Sequence, residues 1–171
     1  MARHLRLFLW VGALVLGCGG DDDDAPPPAG GTVEGDYTIS ITNRENGCGF
    51  DDFSTGESTA GIGLRLEASG SEATGTVTEV GSALVLSLVL GSNVFEGTVS
   101  GSSVTLTREG TTPFSQGSCA YTLNATLTAT VSGDVIQGNL RYTAATNDSS
   151  DCADLEGCVT RQEFNGTRPP T

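Results

Sequence analysis

Between residues 119 and 132 the chain reads CAYTLNATLTATVS. Tyr121, Leu123, Ala125, Leu127, Ala129 and Val131 fall on one side of a two-residue period, and Thr122, Asn124, Thr126, Thr128 and Thr130 on the other. Successive side chains of a strand point to opposite faces, so this alternation predicts a strand with one face buried and the other in water. Tyr37/Ile39/Ile41, Ile62/Leu64/Leu66, Val104/Leu106 and Ile136/Leu140/Tyr142 repeat the pattern. ALVLSLVL, residues 83–90, is apolar at nearly every position and reads as a central or covered strand. No stretch beyond residue 18 carries an apolar stripe at helical spacing.

Gly-Ser pairs stand at 70–71, 81–82, 91–92 and 101–102, with Gly133-Asp134 further on. Glycine at the first central position suits the type II′ turn of a two-residue hairpin. Turns about ten residues apart with alternation between them predict an antiparallel meander. The strands expected are 35–43, 60–69, 72–80, 83–90, 93–100, 103–109, 119–132, 135–146 and 158–166. A meander this long removes its edges by closing on itself, which predicts an all-β, up-and-down barrel of 8–9 strands. Gly35-Asp36-Tyr37 resembles the small-residue-then-aromatic opening of the lipocalin superfamily, and that resemblance implies the same barrel. Two points strain this reading. Nine strands do not close antiparallel, and strict alternation puts Cys48 and Cys119 at opposite ends. A two-sheet β-sandwich is the alternative that relaxes both.

The N-terminus is built differently. MARHLR carries Arg3 and Arg6, LFLWVGALVL (7–16) is apolar, and Gly17-Cys18 follows. Ten apolar residues fall well short of the roughly 20 that a spanning helix needs. A short positive region, a short apolar region and a small residue read as a cleaved export signal, residues 1–17. Val15-Leu16-Gly17-Cys18 resembles the lipobox of bacterial lipoproteins. The resemblance implies diacylglycerol and further acyl chains on Cys18, and residence in the cell envelope by that anchor. Two or more acyl chains hold a protein stably at a membrane, where one holds it weakly. Glycine rather than aspartate at position 19 implies the outer membrane by the enteric sorting rule. Residues 18–34 then form a tether, with Asp21–Asp24 repelling one another and Pro26–Pro28 stiffening the chain. The folded domain is expected over 35–171.

Cysteine usage agrees. Of Cys18, Cys48, Cys119, Cys152 and Cys158, lipidation removes the first and leaves four. Four cysteines in an oxidising compartment predict two disulfides. CADLEGC is a short polar segment whose ends meet at low entropic cost, which favours Cys152–Cys158 and leaves Cys48–Cys119. The spacing lacks the CxxC knuckles of a structural zinc site.

The chemistry on offer is sparse. All eight basic residues are arginines, set against 21 acids, for a net charge of −13. Nucleic acid and anionic lipid headgroups both require a basic surface, so neither is an expected partner. His4 is the only histidine and leaves with the signal, and lysine is absent. That removes a histidine-based triad and a Schiff base, so no catalytic residue, cofactor or metal is expected. Asp148, Asp151, Asp154 and Glu156 offer oxygens of the type calcium takes, but without EF-hand spacing, and read as solvated turn residues. The acidic tether, stapled β-domain and closing FNGTR resemble small envelope lipoproteins of high-GC Gram-negative bacteria, a resemblance that supplies no activity. Two functions remain. The inward Leu, Ile and Tyr can fill a small barrel, which points to a structural or surface-interaction lipoprotein with an envelope protein as partner. The alternative is a barrel holding a small apolar ligand.

Overall fold

The computed structural model describes residues 32–170. The signal segment, Cys18 and the tether through residue 31 lie outside the described residues. Nine strands form: β1 (Gly35–Asn46), β2 (Ser58–Ser69), β3 (Glu72–Val77), β4 (Val94–Ser100), β5 (Ser103–Arg108), β6 (Phe114–Gln116), β7 (Cys119–Ser132), β8 (Val135–Thr146) and β9 (Thr160–Thr167). One helix, α1 (Val80–Leu90), stands between β3 and β4. Every neighbour in the order β5-β4-β3-β2-β1-β9-β8-β7 pairs antiparallel, and a β5–β7 ladder closes the ring. The domain is an up-and-down barrel of eight strands. The short β6 is additional: it lies along β7 beyond β5, separated from it by the bulging segment 109–113.

The sequence pattern for the barrel wall holds. On β7 the residues Leu123, Ala125, Leu127, Ala129 and Val131 are all buried, with threonines facing out. Tyr37, Leu64, Leu66, Phe95, Val104, Leu106, Ile136 and Phe164 complete a continuous core. Side chains alternating between a packed interior and a wet exterior are what a closed barrel of eight strands requires. Between β1 and β2 the register shifts beside Gly61, whose φ of +81° admits a bulge that a side chain would strain.

The expected strand 83–90 is instead α1, and the correction has a local cause. An apolar run without alternation fits a buried strand and a helix equally well. Here the ends decide. Glu79 caps the helix, its carboxylate accepting from the backbone N–H of Gly81 and Ser82 at 2.9 and 2.7 Å. Gly91 ends it at φ +76°, the left-handed conformation of a helix terminus. The Gly-Ser pairs at 81–82 and 91–92 are therefore a helix start and a helix stop. Those at 70–71 and 101–102, and Gly133-Asp134, are the hairpin turns expected, with positive φ at each glycine and not at the residue after it.

Removing one strand resolves both strains in the sequence reading. Eight strands close evenly, and the direction of every later strand reverses. Cys48 after β1 and Cys119 at the start of β7 now share the upper end, together with α1 and the loops 47–57 and 147–159. The lower end holds the three tight turns, the start of β1 and the end of β9.

The disulfides also differ from expectation. Cys48 bonds Cys158 and Cys119 bonds Cys152, across 110 and 33 residues. Low closure entropy favoured the local pair, but backbone pairing fixes where each sulfur sits. The Gly47 N–H donates to the Val159 carbonyl at 3.0 Å, prolonging the β1–β9 ladder and setting Cys158 beside Cys48. Asp151 and Asn147 bind Ser118 at the β6–β7 turn, which brings Cys152 over Cys119. All four cysteines and Leu155 form a second small buried cluster at the upper end.

Candidate functional site

Two concavities stand out among the described residues. The larger, about 540 Å³, is an open crease on the outer wall where Thr105, Thr128, Thr130, Gln137, Asn139 and Asn165 face water. It is polar, and its residues do not enclose anything. The second, about 410 Å³, lies inside the upper half of the barrel and is mostly apolar. Ile41 of β1, Ile62 of β2, Leu127 of β7 and Leu140 of β8 form its wall, and Val85 and Leu86 of α1 lie across its upper side. This volume sits within the range of small-molecule pockets, which are apolar with a few placed polar groups. The inward Leu, Ile and Tyr were expected to fill the barrel. They fill its lower half and leave a chamber in the upper half, with α1 across it.

The polar groups come from register. Asn43 of β1 stands opposite Gln162 of β9, and Tyr142 of β8, paired with Thr160, lies diagonal to Gln162, whose direct partner on β8 is Leu140. The Tyr142 hydroxyl donates to Gln162 Oε1 at 3.2 Å, Gln162 Nε2 donates to Asn43 Oδ1 at 2.7 Å, and Asn43 Nδ2 donates to the Ser54 carbonyl at 3.2 Å. The Phe50 ring meets Tyr142 edge-on at 6.2 Å and fixes its orientation. Burial pushes the Tyr142 phenol above its ordinary range, so it remains a neutral hydroxyl at any physiological pH. One carboxylate, Glu79, reaches the rim, and the Ser82 and Gly81 N–H groups hold it below the usual carboxylate range.

Of the residues singled out from the sequence, Cys48, Cys119, Cys152 and Cys158 are brought together, and Cys18 lies outside the described residues. The acidic segment 148–156 has a structural job for one member. Asp151 Oδ2 accepts from Ser118 N and Ser118 Oγ at 2.7 and 2.8 Å, and those hydrogen bonds lower its pKa. Exposed to water as expected, it also clasps the 147–159 loop to the β6–β7 turn. Among the described residues no three His, Cys, Asp or Glu side chains converge as a metal set. Asn43 and Gln162 were not singled out. The signal was present: the inward series Tyr37/Ile39/Ile41 continues to Asn43, and Thr160/Gln162/Phe164 keeps the same period on β9.

Fold and cavity together define a closed β-barrel with an apolar chamber under a helix. No protein-family model and no curated protein matches the chain. A solved structure of EF1p2_mFAP2b bound to DFHBI is similar over 80% of this chain and 94% of that one, at 10% identity and a TM-score of 0.35.

Proposed function

We propose that this protein is a lipid-anchored envelope protein whose barrel binds a small apolar ligand. The observation that carries the ligand is the chamber of about 410 Å³, bounded by core residues of seven strands and by α1. A merely structural barrel of this size fills its interior with side chains. The anchor rests on the lipobox-like order ending at Cys18 and on the odd cysteine that it explains. Residue 35 begins β1 at the lower end, so an anchor ahead of it joins the barrel at the end opposite the chamber.

Titrating the purified domain with the fluorescent apolar probe N-phenyl-1-naphthylamine is expected to give saturable, one-to-one enhancement. Ile41→Trp, at a half-buried position on the chamber wall, should abolish it while leaving the far-UV spectrum unchanged. Absence of saturable binding to the wild type sinks the ligand reading. For the anchor, Cys18→Ala should move the protein from the membrane to the soluble fraction of the cells that export it. Retention on the membrane despite the substitution overturns that half.

A further inference from the structure

We infer that the chamber selects a ligand with a neutral hydroxyl at one end, taken by Tyr142 and Gln162, and discriminates against a carboxylate. This rests on the ligand reading above and specifies its chemistry.

The hydrogen-bond chain runs one way, from Tyr142 through Gln162 and Asn43 to the Ser54 carbonyl. Counting capacities shows what it leaves over. The Tyr142 oxygen has donated its hydrogen and keeps its lone pairs, and Gln162 Nε2 has used one of two hydrogens. Both residues line the chamber. A free acceptor and a free donor side by side match a hydroxyl, which donates to the first and accepts from the second. An ether or ketone satisfies only the donor. A carboxylate would add a second negative charge to a chamber already rimmed by Glu79, and among the described residues no arginine lines it to balance that charge. Moving an unpaired charge out of water costs far more than one hydrogen bond returns. Arg108 of β5, whose buried Nε has no hydrogen-bond partner, is not part of that lining.

The test is displacement of bound N-phenyl-1-naphthylamine by 1-decanol, decyl methyl ether and decanoate at pH 8. Decanol is expected to compete at concentrations about tenfold lower than the ether, one hydrogen bond being on the order of a factor of ten. Decanoate should be weaker than both. Tyr142→Phe, which keeps the ring against Phe50, and Gln162→Leu should each bring decanol and ether close to parity while the probe still binds. Equal displacement by decanol and ether in the wild type removes the hydroxyl selection and leaves the ligand reading standing. A preference that survives in both variants does the same to the assigned residues. Decanoate competing best would overturn the charge argument. If the probe itself does not bind, the ligand reading fails and this inference with it.

Discussion

Replacing Cys48 and Cys158 together by alanine is expected to cost about 4–5 kcal/mol of stability, and replacing Cys119 and Cys152 about 3–4. The order follows from the loops each bridge closes, 110 residues against 33, because a cross-link restricts the unfolded chain more when it spans more of it. The native side adds to the contrast. Cys48–Cys158 lies where the β1–β9 ladder runs past Asn46 into Gly47 and Val159, at the seam that joins the first strand to the last. The Thr160 hydroxyl, fully buried, donates there to Asn46 Oδ1 at 3.4 Å and accepts from the Cys48 N–H at 3.1 Å. Cys119–Cys152 holds a loop that Asp151 and Asn147 already fasten to Ser118. Urea unfolding of the two double variants and the wild type measures both losses. Equal losses, or the larger one at Cys119/Cys152, would show that loop closure does not govern these bridges.

The pairing illustrates which parts of the structure the chain made legible. Alternation marked β1, β2, β5, β7 and β8, since an inward residue of a barrel is buried and an outward one is not, and Leu123 to Val131 needs no partner to reveal this. The hairpin glycines at 70, 101 and 133 were equally local, each demanding a positive φ. What failed was a choice between two structures with the same local pattern. Residues 83–90 are apolar throughout, and only the Glu79 cap and the Gly91 stop distinguish helix from strand. That single choice carried through the topology, because it set the direction of each strand after it and so the end at which each cysteine lies. Disulfide partners then depended on long-range register, which closure entropy alone does not contain. The candidate site was half legible for the same reason. Tyr142 belonged to an apolar series, whereas Asn43 and Gln162 gain their meaning only once β1, β9 and β8 are neighbours.

The lower end of the barrel is expected to depend on one cation. Arg168 is buried, its side chain 7% exposed, while its partner Asp134 is 42% exposed at 3.3 Å. Its guanidinium also donates to the carbonyls of Thr32 at 2.8 Å and Gly133 at 3.1 Å and to that of Glu34, and it lies 5.5 Å from the centre of the Tyr37 ring. Tyr37 in turn donates to the Val33 carbonyl at 2.8 Å. One side chain thereby fastens the segment before β1, the β7–β8 turn and the end of β9. Gly35 is part of the fit, since a Cβ there would stand 2.9 Å from Arg168 Cδ. Arg168→Met keeps much of the apolar stem and strands three carbonyls and a carboxylate. We expect a loss of about 2–4 kcal/mol, the range for stripping the partner from several buried polar groups. Lysine should restore less than half of it, having no planar fork to serve partners on separate segments. Arg44→Met, at the exposed Arg44–Glu163 pair of 2.7 Å, should stay within about 0.5 kcal/mol of the wild type. Chemical denaturation of the three variants decides, and an Arg168→Met loss no larger than that of Arg44→Met would mean that the closed end is held by the core beneath it and not by this clasp.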